Sequence, residues 1–143
     1  MTATESLDYL YGLIPKGIKF GLNNISAVLS ELGNPQLNAQ SIQIAGTNGK
    51  GSTAAFCESI LRKAGYRVGL YTSPHLVDFC ERIQINRTLM AESEMIRMVS
   101  RVKKAAEDIE IPITFFEFAT AMAFLHFSEQ KTDINIIEVG MGG

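Results

Sequence analysis

Between Gly46 and Thr53 the chain reads Gly-Thr-Asn-Gly-Lys-Gly-Ser-Thr. A phosphate chain needs several backbone N–H donors converging at close range, and glycine lets a backbone fold round it without Cβ clashes. Gly46, Gly49 and Gly51 offer that freedom, while Thr47 and Asn48 complete the bend. Lys50 adds a point charge able to follow the β- and γ-phosphates, and Ser52 and Thr53 place hydroxyls where a magnesium ion or the terminal phosphate could use them. The strict phosphate-loop pattern has a Gly separated by four residues from the Gly-Lys pair and Ser or Thr directly after it; here those positions hold Ile44 and Gly51. A plain glycine turn is the competing reading, and the flanking elements decide between the two.

Ser41 to Ala45 alternates like a short strand and runs straight into the glycines. From Thr53 the residues Ala54, Cys57, Ile60, Leu61 and Ala64 form one helical stripe with Glu58, Arg62 and Lys63 outside it, and Gly65 suits a left-handed C-cap. Arg67 to Tyr71 reads as a second strand, so residues 41–71 form a strand–loop–helix–strand unit whose strands should be parallel and whose crossover should be right-handed. That is the context a phosphate loop requires. Helical spacing also predicts helices over about 22–32 and 92–109. Thr114-Phe115-Phe116-Glu117 has the capping-box spacing and opens an apolar, buried helix to about Ser128. Ile134 to Val139 reads as an inner strand, and Glu81 to Asn86 as a half-exposed strand within a surface excursion. The expected fold is α/β, a three-layer, P-loop-like parallel sheet flanked by helices.

Glu138 stands out on its placement. An acid at the carboxyl end of an apolar inner strand is where such a sheet presents a charge to a ligand, and an unpaired carboxylate inside the sheet would be costly. A salt bridge to a Lys or Arg is the alternative use. Other polar residues have plainer readings. Ser73-Pro74 fits an ordinary turn, His75 a hydrogen-bonded loop side chain, Glu117 a capping carboxylate, and His126 a core position on a buried helix. The methionines near 95–98 form a packing stripe, and Cys57 is expected as a small buried side chain.

The chain has 143 residues, 13 Lys and Arg against 15 Asp and Glu, and 46% hydrophobic residues. One ordinary globular core fits these values. With near-neutral charge and no basic run, nucleic acid is disfavoured as a partner. Cys57 and Cys80 show neither zinc-ligand spacing nor a disulfide framework, and the start of the chain does not resemble a secretory signal. The most apolar stretch, Ile113 to Phe127, is interrupted by Glu117 and His126 and is shorter than the roughly 20 residues a bilayer requires. A soluble cytoplasmic protein is expected, without a membrane partner.

Ile42 to Ser52 closely resembles the ATP loop of folylpolyglutamate synthases and dihydrofolate synthases, members of the Mur ligase superfamily. Gly17-Ile18-Lys19-Phe20-Gly21-Leu22, Leu32-Gly33-Asn34-Pro35, Tyr71-Thr72-Ser73-Pro74-His75-Leu76, Glu81 to Asn86, Thr114 to Glu117 and Glu138 to Gly143 are similar to that family's segments, in the same order. Gly51, where peptidoglycan-extending Mur enzymes usually carry Thr or Ser, favours the folate branch. The resemblance implies an ATP- and magnesium-dependent ligase. It would phosphorylate the carboxylate of dihydropteroate or of a folate and let the amine of L-glutamate attack the acyl phosphate. On the same ground residues 46–53 hold ATP, Lys50 and Glu138 are catalytic, Ser73, Glu138 and Ser52 hold magnesium, and Pro74, His75 and Glu117 border the acceptor. Residues 1–143 would then be the N-terminal portion of the ATP-binding domain, truncated on its C-terminal side and without the glutamate-binding domain. Alone, such a fragment is expected to be inactive and prone to self-association through bare sheet edge, whereas the full-length protein would be a monomer. Another Mur-type ligase, or a non-catalytic nucleotide-binding module, are the alternative readings.

Overall fold

The computed structural model describes residues 1–16, 21–46, 48–73 and 77–138. In chain order its elements are α1 (Ala3–Tyr11), α2 (Asn23–Glu31), β1 (Gln40–Ile44), α3 (Lys50–Lys63), β2 (Val68–Tyr71), β3 (Ile83–Ile85), β4 (Thr88–Leu89), α4 (Glu92–Asp108), α5 (Phe115–Glu129) and β5 (Ile134–Glu138). They divide into two compact units, Met1–Gln36 with Glu92–His126, and Leu37–Ala91 with Phe127–Gly143.

The first unit is helical. Thr2 caps α1 by accepting from the Glu5 N–H at 3.1 Å, a start signal that the apolar periodicity does not reveal. α4 packs against α1 and α2 through Met95, Met98, Val99, Val102 and Ala106, all buried. The Tyr9 ring meets Phe118 edge-on. At the head of α5 the expected capping box is present: the Thr114 hydroxyl accepts from the Glu117 N–H at 3.2 Å, and the Glu117 carboxylate accepts from the Thr114 N–H at 3.0 Å. α5 is apolar nearly all round and buried from Phe118 to Phe127 except at Thr120 and Phe124. His126 is buried, as its placement on this helix implies. No helix among the described residues is long and apolar enough to cross a membrane.

The second unit carries the sheet, in the order β1-β5-β2-β3-β4. β1, β5 and β2 are parallel, with Ile44 beside Glu138 and Tyr71 beside Ile137. The sequence predicts β1 and β2 as one parallel unit; the structure confirms their direction but inserts β5 between them, where its Ile134 and Ile136 pack with residues of both neighbours. The sheet is mixed rather than wholly parallel, because β3 and β4 return antiparallel. The segment expected as a half-exposed strand in a surface excursion does alternate, with Glu81, Gln84 and Asn86 half-buried, but its other face belongs to the core. An Asp78-capped 3-10 turn at Phe79–Arg82 leads into β3, and Phe79, Cys80, Arg82, Ile83 and Ile85 are all buried. Among the described residues β1 pairs with β5 alone.

α3 covers one face of the sheet. Ala54, Val68, Leu70 and Ile136 are buried together, with Ile42, Ile44, Cys57, Leu61 and Ile134 packed round them. Cys57 is therefore half-buried rather than enclosed. The helix is turned differently from the predicted stripe: Ile60 is 68% exposed, while Glu58 is completely buried. Positions 54, 57, 58 and 61 share one face at i, i+3, i+4 and i+7, and the buried carboxylate is tolerated because two arginines reach it.

On the opposite face Gly69 lies beneath Phe127 and Asn135. A Cβ there would come within 2.5 Å of Asn135 Oδ1 and 2.8 Å of the Phe127 ring. Asn135 Oδ1 is held by the Thr132 hydroxyl at 2.6 Å and cannot easily retreat. Gly69→Ala is expected to cost about 1–3 kcal/mol by overpacking, read as a lower urea midpoint with unchanged m-value. A midpoint equal to that of the unaltered chain would contradict this packing.

Candidate functional site

The chain leaves three neighbouring strands at the same end of the sheet, because β1, β5 and β2 are parallel. β1 leads into the glycine loop and Lys50, β5 ends on Glu138, and β2 leads to Ser73. In open α/β sheets this carboxyl end of the strands is where ligands are received.

The loop hands over to α3 earlier than apolar spacing predicts. α3 begins at Lys50, not near Thr53, because Lys50, Gly51 and Ser52 are helical without contributing an apolar period. Gly49 is the N-cap in the left-handed region with φ 76°, and Gly46 has φ 137°. Both values favour glycine. Gly51 is different: it sits in the helical first turn with no positive φ, so its use is open space rather than backbone freedom. Its N-cap is Gly49, which makes no side-chain cap bond. The Thr53 N–H bonds the Gly49 carbonyl at 3.0 Å. The amides ahead of it belong to the first turn, where an α-helix offers no acceptor of its own and its dipole is positive. Asn48, Gly49, Gly51, Ser52 and Thr53 are solvent-exposed, and Lys50 is half-buried.

Glu138 is 6% exposed. Burial pushes its carboxyl above the usual carboxylate range, while the Lys50 ammonium and a hydrogen bond from the Ser73 backbone N–H act in the other direction. The structure thus brings together Lys50, Ser73 and Glu138. It is the Ser73 backbone N–H, a donor that side-chain reading misses, that makes the contact. Lys50 is near enough to act on Glu138 but does not outweigh the burial. Among the described residues no group of three or more His, Cys, Asp or Glu could hold a metal. A carboxylate oxygen such as that of Glu138 suits a hard divalent cation that takes its remaining ligands from phosphate oxygens and water, as magnesium does.

Glu117 belongs to the helical unit, where it is 5% exposed. Its Oε1 serves the capping box, and its buried Oε2 accepts no hydrogen bond from the described residues. Thr47, Pro74 and His75 lie outside the described residues. What the sequence reading missed is the group on α3: Glu58 with Arg62 and Arg87. Its only advance signal was the inward i+4 position of Glu58 relative to Ala54.

No protein-family model matches the chain. It is 38% identical over 144 residues to a dihydrofolate synthase/folylpolyglutamate synthase of Bacillus subtilis, covering 97% of this chain and 34% of that protein. A protein of the same description from Escherichia coli is 40% identical over 137 residues, 96% of this chain and 32% of its own length. The chain is a homologue of folylpolyglutamate and dihydrofolate synthases. Solved structures agree. Folylpolyglutamate synthase from Thermotoga maritima superposes with TM-score 0.91 at 43% identity, over 99% of this chain and 34% of that one. A folylpolyglutamate synthase complex with AMPPCP and folate superposes with TM-score 0.95 at 37% identity, over 100% and 36%. The chain therefore spans about a third of the length of the synthases it matches.

The raised Glu138 carboxyl has a consequence for stability. The folded chain holds that proton more tightly than the unfolded chain, whose ordinary value is 4.5. This group's contribution is undiminished below that value, falls as pH rises through the folded value, and stays reduced above it. Glu138→Gln is expected to raise the urea midpoint at pH 7 without nucleotide or magnesium, with the gap over the unaltered chain closing towards pH 4.5. A gap that widens on acidification would show that the carboxylate is stabilised, not strained, where it lies.

Proposed function

We propose that this chain forms the nucleotide-binding part of an ATP-dependent ligase that joins L-glutamate to dihydropteroate or a folate. The observation that carries the reading is the convergence of Lys50, the Ser73 N–H and the buried Glu138 at a glycine-capped, solvent-exposed helix start. The first-turn amides and Lys50 would grip the phosphates. Glu138, with the Ser73 and Ser52 hydroxyls, would hold magnesium, which supplies charge neutralisation on the phosphates.

A carboxylate is a poor electrophile until one of its oxygens becomes a phosphate leaving group. In this reading the acceptor's carboxylate oxygen takes the γ-phosphoryl group and ADP leaves. The glutamate amine then attacks the acyl carbon, and inorganic phosphate departs as the amide forms. Phosphoryl transfer asks the protein for alignment and positive charge more than covalent help, which is what a rigid helix start and a lysine provide. Homology to the synthases supports this acceptor chemistry, and relatives have been solved with AMPPCP and folate, or with DHPP and ADP. Pro74, His75 and Glu117 are proposed to border the acceptor. The partners are small molecules, and the compartment is the cytoplasm.

Calorimetric titration with MgATP tests the phosphate site directly. Lys50→Ala removes a charge-assisted contact of about 1.5–3 kcal/mol and should raise Kd roughly ten- to hundredfold. Lys104→Ala, which loses an exposed pair to Asp108 in the helical unit, should bind as the unaltered chain does. Equal affinity in all three proteins would contradict the reading.

A further inference from the structure

We propose that Glu58, gripped by Arg87, is a positioning residue that sets the rotation of α3 and hence the placement of its first turn beside Glu138. The proposal rests on the phosphate-binding reading of that turn.

α3 is poorly locked by apolar contact alone. Its inward stripe is Ala54, Cys57 and Leu61, while Phe56 and Ile60 stand 70% and 68% exposed. Apolar burial is non-directional, so so thin a stripe leaves the helix free to roll. A roll of about 10° swings an atom some 6 Å from the helix axis by about 1 Å, enough to spoil a phosphate contact.

Glu58 supplies direction where packing does not. Its side chain is fully buried, with Oε2 accepting from Arg62 Nε at 2.9 Å and Oε1 from Arg87 Nε at 2.6 Å. Arg62 lies on the same helix, so it can offset charge but cannot fix the helix to anything. Arg87 comes from the β3–β4 turn, and its Nη2 also donates to the Ala55 carbonyl at 3.2 Å. It therefore holds both a side chain and the backbone of α3, through contacts whose strength depends on angle.

The anchor is itself immobilised. Asn86 and Arg87 form a two-residue turn with φ 48° and 68°, the left-handed pair that suits a tight hairpin. Asn86 exchanges two hydrogen bonds with Val68, accepting at its Oδ1 from the Val68 N–H at 2.8 Å and donating its own N–H to the Val68 carbonyl at 2.9 Å. Val68 opens β2, the strand that leads to Ser73 and so to Glu138. One bonded frame thus reaches both sides of the proposed site: α3 through Arg87 and Glu58, and Ser73 through β2.

The test compares the unaltered chain with Arg87→Met, Arg87→Lys and the double variant Glu58→Leu/Arg87→Met, which leaves no buried charge unpaired. Each is measured for thermal midpoint, for MgATP affinity, and for the amide resonances of residues 50–53 without nucleotide. The proposal expects displaced resonances in Arg87→Met and the double variant, partial return in Arg87→Lys, and a Kd raised roughly 2- to 30-fold, the range over which distant contacts modulate a site. Variants that melt earlier yet keep native resonances at 50–53 and native Kd would overturn it, showing a clamp that stabilises without positioning. Lys50→Ala separates the two claims. If it binds MgATP as well as the unaltered chain, the phosphate reading fails, and the resonances alone decide whether the clamp positions the turn.

Discussion

A carboxylate buried at the end of a central strand is the constraint on which this structure turns. Glu138 carries its charge into an environment that disfavours it, and what the protein offers in return is one nearby ammonium and one backbone N–H. Those two partners come from different elements, Lys50 from the start of α3 and Ser73 from the segment after β2. Their meeting requires β5 to lie between β1 and β2 and all three to run the same way. The sheet order is therefore the means by which a residue near position 50, one near 73 and one near 138 come to share a site.

The local geometry of the loop follows the same logic. Left-handed φ values at Gly46 and Gly49 swing the chain out of β1 and directly into a helix whose start has no side-chain cap. α1, by contrast, satisfies its start with Thr2, and α5 with the Thr114–Glu117 box. A helix start whose N-cap is a glycine, next to a lysine and a buried carboxylate, is suited to an anion with its own cation. The capping use of Glu117 does not exhaust that residue, since its second oxygen is buried without a partner among the described residues.

Much of this was legible in the sequence because it is local. The glycine loop, the end-of-strand position of Glu138, the capping box at Thr114 and the stripes of α2 and α4 each depend on residues a few positions apart. Features that depend on distant partners were not. Nothing near β2 announces that β5 will separate it from β1, and the alternation over 81–86 does not say that β3 will be buried against β2. Glu58 read as a surface acid because the arginine that makes its burial tolerable lies 29 residues away. Apolar spacing places the start of α3 late for a different reason: Lys50, Gly51 and Ser52 are not apolar side chains and add nothing to an apolar period. α1 was passed over although Thr2 and Glu5 have cap spacing, since its apolar residues are few.

The central claim is that the amides opening α3, Lys50 and the Ser73–Glu138 pair form one receptor for a magnesium-bound triphosphate. Titrating the isotope-labelled chain with magnesium and AMPPCP while following every backbone amide by NMR tests it most directly. Saturable displacement concentrated at Gly49 to Ser52 and at Ser73, and absent when magnesium and phosphate are supplied without the nucleoside, is the expected result. Displacement centred on the helical unit, or none at millimolar nucleotide, would contradict the account.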